Sequence, residues 1–337
     1  MGIDLPIIWA IIIAFGVLMY VVMDGFDLGI GLLFPFIPDR TERDTMVNTV
    51  APVWDGNETW LVLGGAGLMA AFPIVYSVLL SAFYIPLLLM LAGLILRGVA
   101  FEFRFKADEA HRPFWDKAFM GGSFLATFCQ GIVLGALVNG LHVTGPSYDG
   151  GAFDWLSPFS LFTGLALLVA YALLGATWLM LKTEGTLHEQ MRRVSRPLAL
   201  AFLGSIAIVS LWTPLLHQEI ADRWFSMQNM TFLAAVPVLV LLFATIQLRS
   251  IGNPAGNHAV PFLMSLGLML LGYIGLGISL WPNIIPPGLS LRDAAAPPES
   301  MGFALVGALF VTPFILIYTA WAYYVFRGKV RHGEGYH

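Results

Sequence analysis

Carboxyl groups inside long apolar stretches are costly, and by default they mark chemistry. Two stretches of this chain carry them. Residues 23–31 read "MDGFDLGIG" and hold Asp24 and Asp27. Residues 51–60 read "APVWDGNETW" and hold Asp55 and Glu58, with Asn57 between them and Trp54 just before. Each acidic pair is spaced by three, which puts both members on one helix face. A third polar feature, "LRGVAFEFRF" at 96–105, supplies Arg97 and Glu102 as candidate partners for the acids or for another protein.

Three chemistries fit these residues. Carboxyls in a low-dielectric site exchange protons nearer neutral pH than they do in water, so a chain of them suits a proton path. The same acids could instead hydrogen-bond to backbone and to one another and fix a tight helix crossing, for which the glycines at 25, 29, 31 and 56 are suited. Cation binding is the third. Arg97 has a further reading, that of an arginine at a membrane edge reaching for water.

The elements that must position these groups follow from composition. Of 337 residues, 58% are hydrophobic and 11% charged, where a soluble domain carries roughly a quarter charged. The chain is therefore expected to be an all-α integral membrane protein, a single polytopic domain over 1–337. A span needs about 20 apolar residues. Nine runs meet or approach that length, near 7–35, 52–72, 77–101, 118–141, 158–181, 197–217, 230–249, 261–282 and 302–326. Two four-helix bundles plus one peripheral helix are expected. The second run is the weakest, because it opens on the polar stretch at 54–60. Strands are not expected, and the Pro-rich loop at 283–301 reads as irregular.

Basic residues give the expected direction. With the N-terminus outside, only Arg223 and Arg292 of the 17 Lys and Arg residues fall on the outer side, and such an excess of inner positive charge orients membrane proteins. The N-terminus is then periplasmic and the C-terminus cytoplasmic. From Pro6, Asp24 lies about 27 Å along the first helix. This places the acids of the first two spans toward the cytoplasmic end.

Other chemistry is not visible. None of the seven histidines, at 111, 142, 188, 217, 258, 332 and 337, falls at mid-membrane. A haem held by two histidines needs them facing at matched depth, and only His142 and His217, at outer helix ends, approach that. The lone Cys129 can form neither an intrachain disulfide nor a zinc site. No metal site, phosphate loop, dinucleotide fingerprint, serine-nucleophile elbow or basic stripe for nucleic acid is present. No Lys or Arg precedes Arg40, so the basic start of a cleavable signal peptide is missing.

"DGFDLGIG" followed by "NTVAPVWDGNETWL" resembles subunit II of the cytochrome bd-type quinol oxidases. The likeness continues through "AFPIVYSVLLSAFYIPLLLMLAGLILRGVAFEFR" and ends at "PFILIYTAWAYYVFRGKV", covering essentially the whole chain and loosest in its middle. The short connection between the sixth and seventh spans is similar to that of the branch called cyanide-insensitive. The resemblance implies a protein of the bacterial inner membrane paired with subunit I, in a complex that oxidises quinol and reduces O₂ to water. The b- and d-type haems and the quinol-oxidising loop would belong to subunit I, so this chain alone would not be catalytic. A small single-helix subunit, a structural quinone and membrane lipids are further candidate partners. The resemblance implies that subunit II stabilises the haem-bearing chain and contributes a proton path from the cytoplasm. Carried onto this sequence, Asp55 leads as the path carboxylate, followed by Asp27, Asp24 and Glu58, with Trp54, Asn57, Arg97 and Glu102 in support. An ion-coupled secondary transporter and a purely structural scaffold are the rival readings. No matching acidic cluster in the second half of the chain counts against the transporter.

Overall fold

The computed structural model describes residues 4–330. Helix α1 (Leu5–Leu33) begins where Asp4 accepts a bond from the Ile7 amide at 3.4 Å and Pro6 occupies the first turn, a position where the missing N–H costs nothing. Its 29 residues extend about 43 Å, longer than the hydrocarbon core of about 30 Å. A 3₁₀ turn (Phe34–Phe36) and a short polar helix α2 (Arg40–Asn48) follow. The chain then returns in α3 (Trp54–Ala71), breaks at Phe72, runs through the ten-residue α4 (Pro73–Ala82) and descends in α5 (Tyr84–Lys106). Next come α6 (Arg112–Asn139), α7 (Pro158–Lys182) and α8 (Gly185–Leu216). Two short helices, α9 (Gln218–Phe225) and α10 (Met227–Leu233), lead into α11 (Ala235–Gly252), α12 (Ala259–Leu280) and α13 (Pro298–Val325).

Among the described residues, eight helical stretches are long and apolar enough to cross a membrane. The second expected span, α3, falls short of that test because Asp55, Asn57 and Glu58 occupy its first turns. The span expected near 77–101 is displaced: Pro73 starts a separate short helix that ends at Ala82, and the long helix begins only at Tyr84. The Pro-rich loop is not wholly irregular. Asn283–Ile285 pairs with Leu289–Ser290, and a second hairpin joins Val143–Thr144 to Ser147–Tyr148. Period-two pairing over so few residues leaves no signal in a hydropathy pattern.

Helices α1, α3, α5 and α6 pack as one group; α7, α8, α11 and α12 pack as another, joined to the first through α6 and α1 against α7. Helix α13 lies on the outside against α3 and α1, with Met301 its one buried residue. The α1–α7 crossing depends on backbone contact. A Cβ built on Gly29 would stand 1.9 Å from the Tyr171 carbonyl oxygen, and one on Gly175 would stand 2.6 Å from the Gly29 carbonyl carbon. Gly56 is different: a Cβ there meets nothing nearer than Tyr318 at 3.7 Å, so this glycine serves no close crossing.

Both ends are tied. At the end holding Asp4, which is the outer end in the expected topology, Arg292 pairs with Asp4 at 2.8 Å and the Trp9 indole donates to the Met301 carbonyl at 3.0 Å. At the opposite end Asp44 and Asp116 bridge three arginines: Arg104 and Arg112 reach Asp44 at 2.6 and 2.8 Å, while Arg43 and Arg104 reach Asp116 at 3.0 and 2.5 Å. This lattice fastens α2 to the ends of α5 and α6.

Candidate functional site

The site is built where α1, α3 and α5 meet. Asp24 and Asp27 project from α1 and are both fully buried. Helix α3 runs antiparallel to α1, so Asn57 falls level with Asp27 and Glu58 one step further out, level with Asp24. Arg97 enters from α5, also fully buried. Its Nη1 donates to Asp24 at 2.7 Å and its Nη2 donates to Glu58. One guanidinium thus bridges a carboxylate with no solvent exposure and one whose side chain is 28% exposed. The Asn57 amide donates to Asp27 at 2.7 Å, and its oxygen accepts from the Tyr323 hydroxyl at 2.9 Å.

Trp54 forms a wall of the site. Its indole stacks on Phe101 with centroids 4.8 Å apart, and the Arg97 guanidinium lies 5.8 Å from each ring centroid. Such rings favour a desolvated cation and keep water from the open side of the arginine. Further along α1, one turn from Asp24, the Tyr20 hydroxyl accepts from Gln130 at 2.6 Å, and the Tyr171 hydroxyl donates to the Gln130 oxygen at 3.0 Å. Polar side chains from α1, α3, α5, α6, α7 and α13 therefore gather on the C-terminal half of α1.

Among the described residues, the carboxylate oxygen Asp27 Oδ1 in this interior has no hydrogen-bond partner, while the Tyr20 hydroxyl stands against Asp24. A buried carboxylate oxygen without a donor is expensive. A proton on the carboxyl, or a water against it, removes that cost, and both are what a proton-handling site requires.

The structure brings together Asp24, Asp27, Asn57, Glu58, Arg97 and Trp54. It does not bring in Asp55 or Glu102. Asp55 is exposed on the outside of the first turn of α3; three residues of a 3.6-residue turn leave it short of Glu58's direction, toward the helix surface. Glu102 is exposed on α5 and pairs with Lys106 at 3.3 Å. It stands five residues past Arg97, a rotation that turns it away from α1 and α3. Tyr20 and Tyr323 belong to the site and were not anticipated. Tyr20 lies four residues before Asp24, so helical spacing alone places it on the acidic face. Nothing local marks Tyr323, which is 266 residues from Asn57.

The histidines His188, His217 and His258 are not placed to hold a haem between two imidazoles. His217 gives its Nε2 to the Val138 carbonyl at 3.0 Å. The two imidazoles that do face each other, His188 and His258, have centroids only 4.2 Å apart, which leaves no space for a porphyrin between them. No cluster of three or more metal-ligating side chains occurs among the described residues.

The family model for cytochrome bd terminal oxidase subunit II matches residues 5–326. Subunit 2 of the cytochrome bd-I ubiquinol oxidase of Escherichia coli (strain K12) is 30% identical, over 97% of this chain and 95% of that protein. Subunit 2 of the cytochrome bd ubiquinol oxidase of Bacillus subtilis (strain 168) is 27% identical, over 97% of each. Among solved structures, the bd oxidase of Geobacillus thermodenitrificans contains a chain similar in fold, with a TM-score of 0.71 at 20% identity, covering 95% of this chain and 97% of that one.

Proposed function

The chain belongs to the cytochrome bd terminal oxidase subunit II family, and from that premise we propose that its own share of the oxidase is to hold the haem-bearing subunit and to admit protons from the cytoplasmic side through Glu58, Arg97 and Asp24. As a subunit of a bd-type quinol oxidase it is a multi-pass protein of the bacterial inner membrane. The haems and the quinol chemistry of such a complex imply a partner subunit, and this chain supplies support around them. A small third subunit and a structural quinone belong to the same reading.

The observation that carries the proton proposal is the bridge formed by Arg97. Glu58 touches the surface, Asp24 does not, and the same guanidinium holds both. A proton arriving at Glu58 weakens its hold on Arg97; when that proton passes on by way of water to Asp24, Glu58 is ionised again and the guanidinium returns to it, so the one cation always faces a charged carboxylate. Asp27 adds a third carboxyl to one guanidinium, so the cluster is electrically neutral only with two protons bound. It can therefore store protons as well as pass them. Asp55, exposed a turn nearer the start of α3, collects protons at the mouth. The topology that supports this direction has the N-terminus periplasmic and the C-terminus cytoplasmic, as the distribution of Lys and Arg indicates.

The test is O₂ uptake by the purified complex carrying Glu58→Gln. The variant keeps an oxygen for Arg97 and loses only the titratable group. Turnover slowed about tenfold, a barrier higher by about 1.4 kcal/mol, with the haem spectrum unchanged, is the expected result. Full turnover would place the proton path elsewhere. The scaffold reading rests on the same ion pairs, since they join α1, α3 and α5. It predicts loss of haem in place of slowed turnover. Family membership decides against the transporter.

A further inference from the structure

One cation at the outer end plays no part in the oxidase reading. Arg223, near the end of α9, donates from Nη1 to the carbonyls of Ile278 and Ser279 at 2.9 and 3.1 Å, in the last turns of α12. It forms no ion pair with a carboxylate among the described residues. Glu219, one turn earlier on the same helix, is not paired with it. The other basic residue of that end, Arg292, is already paired with Asp4 at 2.8 Å. Outer-side cations are scarce in this chain, and here one is kept half-buried with most of its donors free.

Arg223 stands at one end of a groove of about 500 Å³ between α10 and α12. Asn229 shares that end, and Phe232, Leu233, Ile274, Ile278 and Trp281 form the rest. The groove opens sideways: Phe232 is 79% exposed and Trp281 52%. Its polar end is rigid, because the Trp224 indole donates to Ser279 Oγ at 2.9 Å and Asn229 donates to the Arg223 carbonyl at 3.1 Å. A tryptophan at the rim is the side chain that favours the headgroup level of a bilayer.

We infer that this groove is a phospholipid site, with the lipid phosphate on Arg223 and an acyl chain lying along Phe232, Ile274 and Ile278. A planar guanidinium with free donors recognises phosphate oxygens in pairs. The apolar wall below it recognises a hydrocarbon chain and nothing polar. The two parts are in the order that a lipid entering from the outer leaflet presents them. A quinone matches the wall but carries no charge for the arginine. This site is separate from the acidic cluster and stands or falls without it.

The test uses the intact oxidase in nanodiscs and two photoactivatable probes that share their acyl chains. One is a phosphatidylglycerol and the other the corresponding diacylglycerol, so they differ by the phosphate headgroup. In the wild-type complex the phosphatidylglycerol probe is expected to label residues of 223–233 and 274–281 at least tenfold more than the diacylglycerol probe. Arg223→Ala is expected to remove that preference and to lower the phospholipid retained after detergent washing by one molecule per complex. Equal labelling by both probes in the wild type would overturn the proposal, as would a quinone recovered in place of the phospholipid. Because the wild-type comparison needs no variant, misfolding of Arg223→Ala would leave the decision intact.

Discussion

Replacing Arg97 by Leu removes the one cation among the described residues that pairs with Asp24 and Glu58. Arg97 and Asp24 have no solvent exposure, and Glu58 is 28% exposed. Breaking a buried ion pair by deleting one partner costs about 3–5 kcal/mol, because the other charge stays buried without compensation. Glu58 can recover part of its hydration at the surface, so most of the loss falls on Asp24. The prediction is a loss of about 3–5 kcal/mol in Arg97→Leu, read as a lower thermal midpoint of the detergent-solubilised complex and loss of haem on heating. Adding Asp24→Asn and Glu58→Gln to Arg97→Leu removes the orphaned charges and should recover more than half of the loss. Residues in one ion-pair network are coupled, and the combined variant measures that coupling. A wild-type midpoint in Arg97→Leu, or a combined variant no more stable than the single one, would refute the reasoning.

Gly29→Ala places a methyl group on the Tyr171 carbonyl, where a Cβ would stand at 1.9 Å; overpacking of this kind costs about 1–3 kcal/mol and should reduce the yield of assembled complex, while Gly56→Ala should leave that yield unchanged. Asp55→Asn should slow O₂ uptake less than Glu58→Gln does, since Asp55 lies at the surface, and Glu102→Gln should leave turnover at the wild-type rate. The segment after α13 is tied by Lys329, whose Nζ donates to His258 Nδ1 at 3.3 Å and reaches Glu184 at 3.4 Å, and by the Val330 amide on the Lys182 carbonyl at 2.9 Å. Burial, then the charges of His188 and Lys329, hold the His258 imidazole below its ordinary 6.5, against an opposing pull from Glu184. The unfolded ring therefore takes up its proton first as pH falls. The stability that neutral His258 contributes is present above 6.5 and is lost as pH drops through the lower folded value. The protection factor of the Val330 amide, its exchange rate corrected for the intrinsic rate at each pH, should fall as pH drops below 6.5; an unchanged protection factor would show that His258 does not hold Val330.

The helices that carry the site were legible because membrane spans are set by length and hydropathy, and α1, α5 and α6 satisfy both. The acids Asp24, Asp27 and Glu58 were legible for the same reason, as charges where charge is costly. Distinguishing Glu58 from Asp55 was not possible from spacing. Both sit in the first turns of α3, and only the rotation of that helix against α1 decides which one meets Arg97. Tyr323 and the Asp44–Asp116 lattice were hidden because their partners come from distant segments with no shared period. The break at Phe72 displaced the third span, since a hydropathy window runs on through apolar α4 without sensing that Pro73 starts a new helix. The hairpins at 143–148 and 283–290 are too short for any periodic signal.

Proton entry through Glu58 is tested most directly by following proton uptake during a single turnover of the complex in oriented vesicles, with a pH indicator confined to the cytoplasmic face. In the wild type, uptake from that face should keep pace with O₂ reduction. In Glu58→Gln, uptake and O₂ reduction should slow together, with haem content and assembly unchanged. Uptake at the wild-type rate in Glu58→Gln would contradict a proton path through Glu58, Arg97 and Asp24.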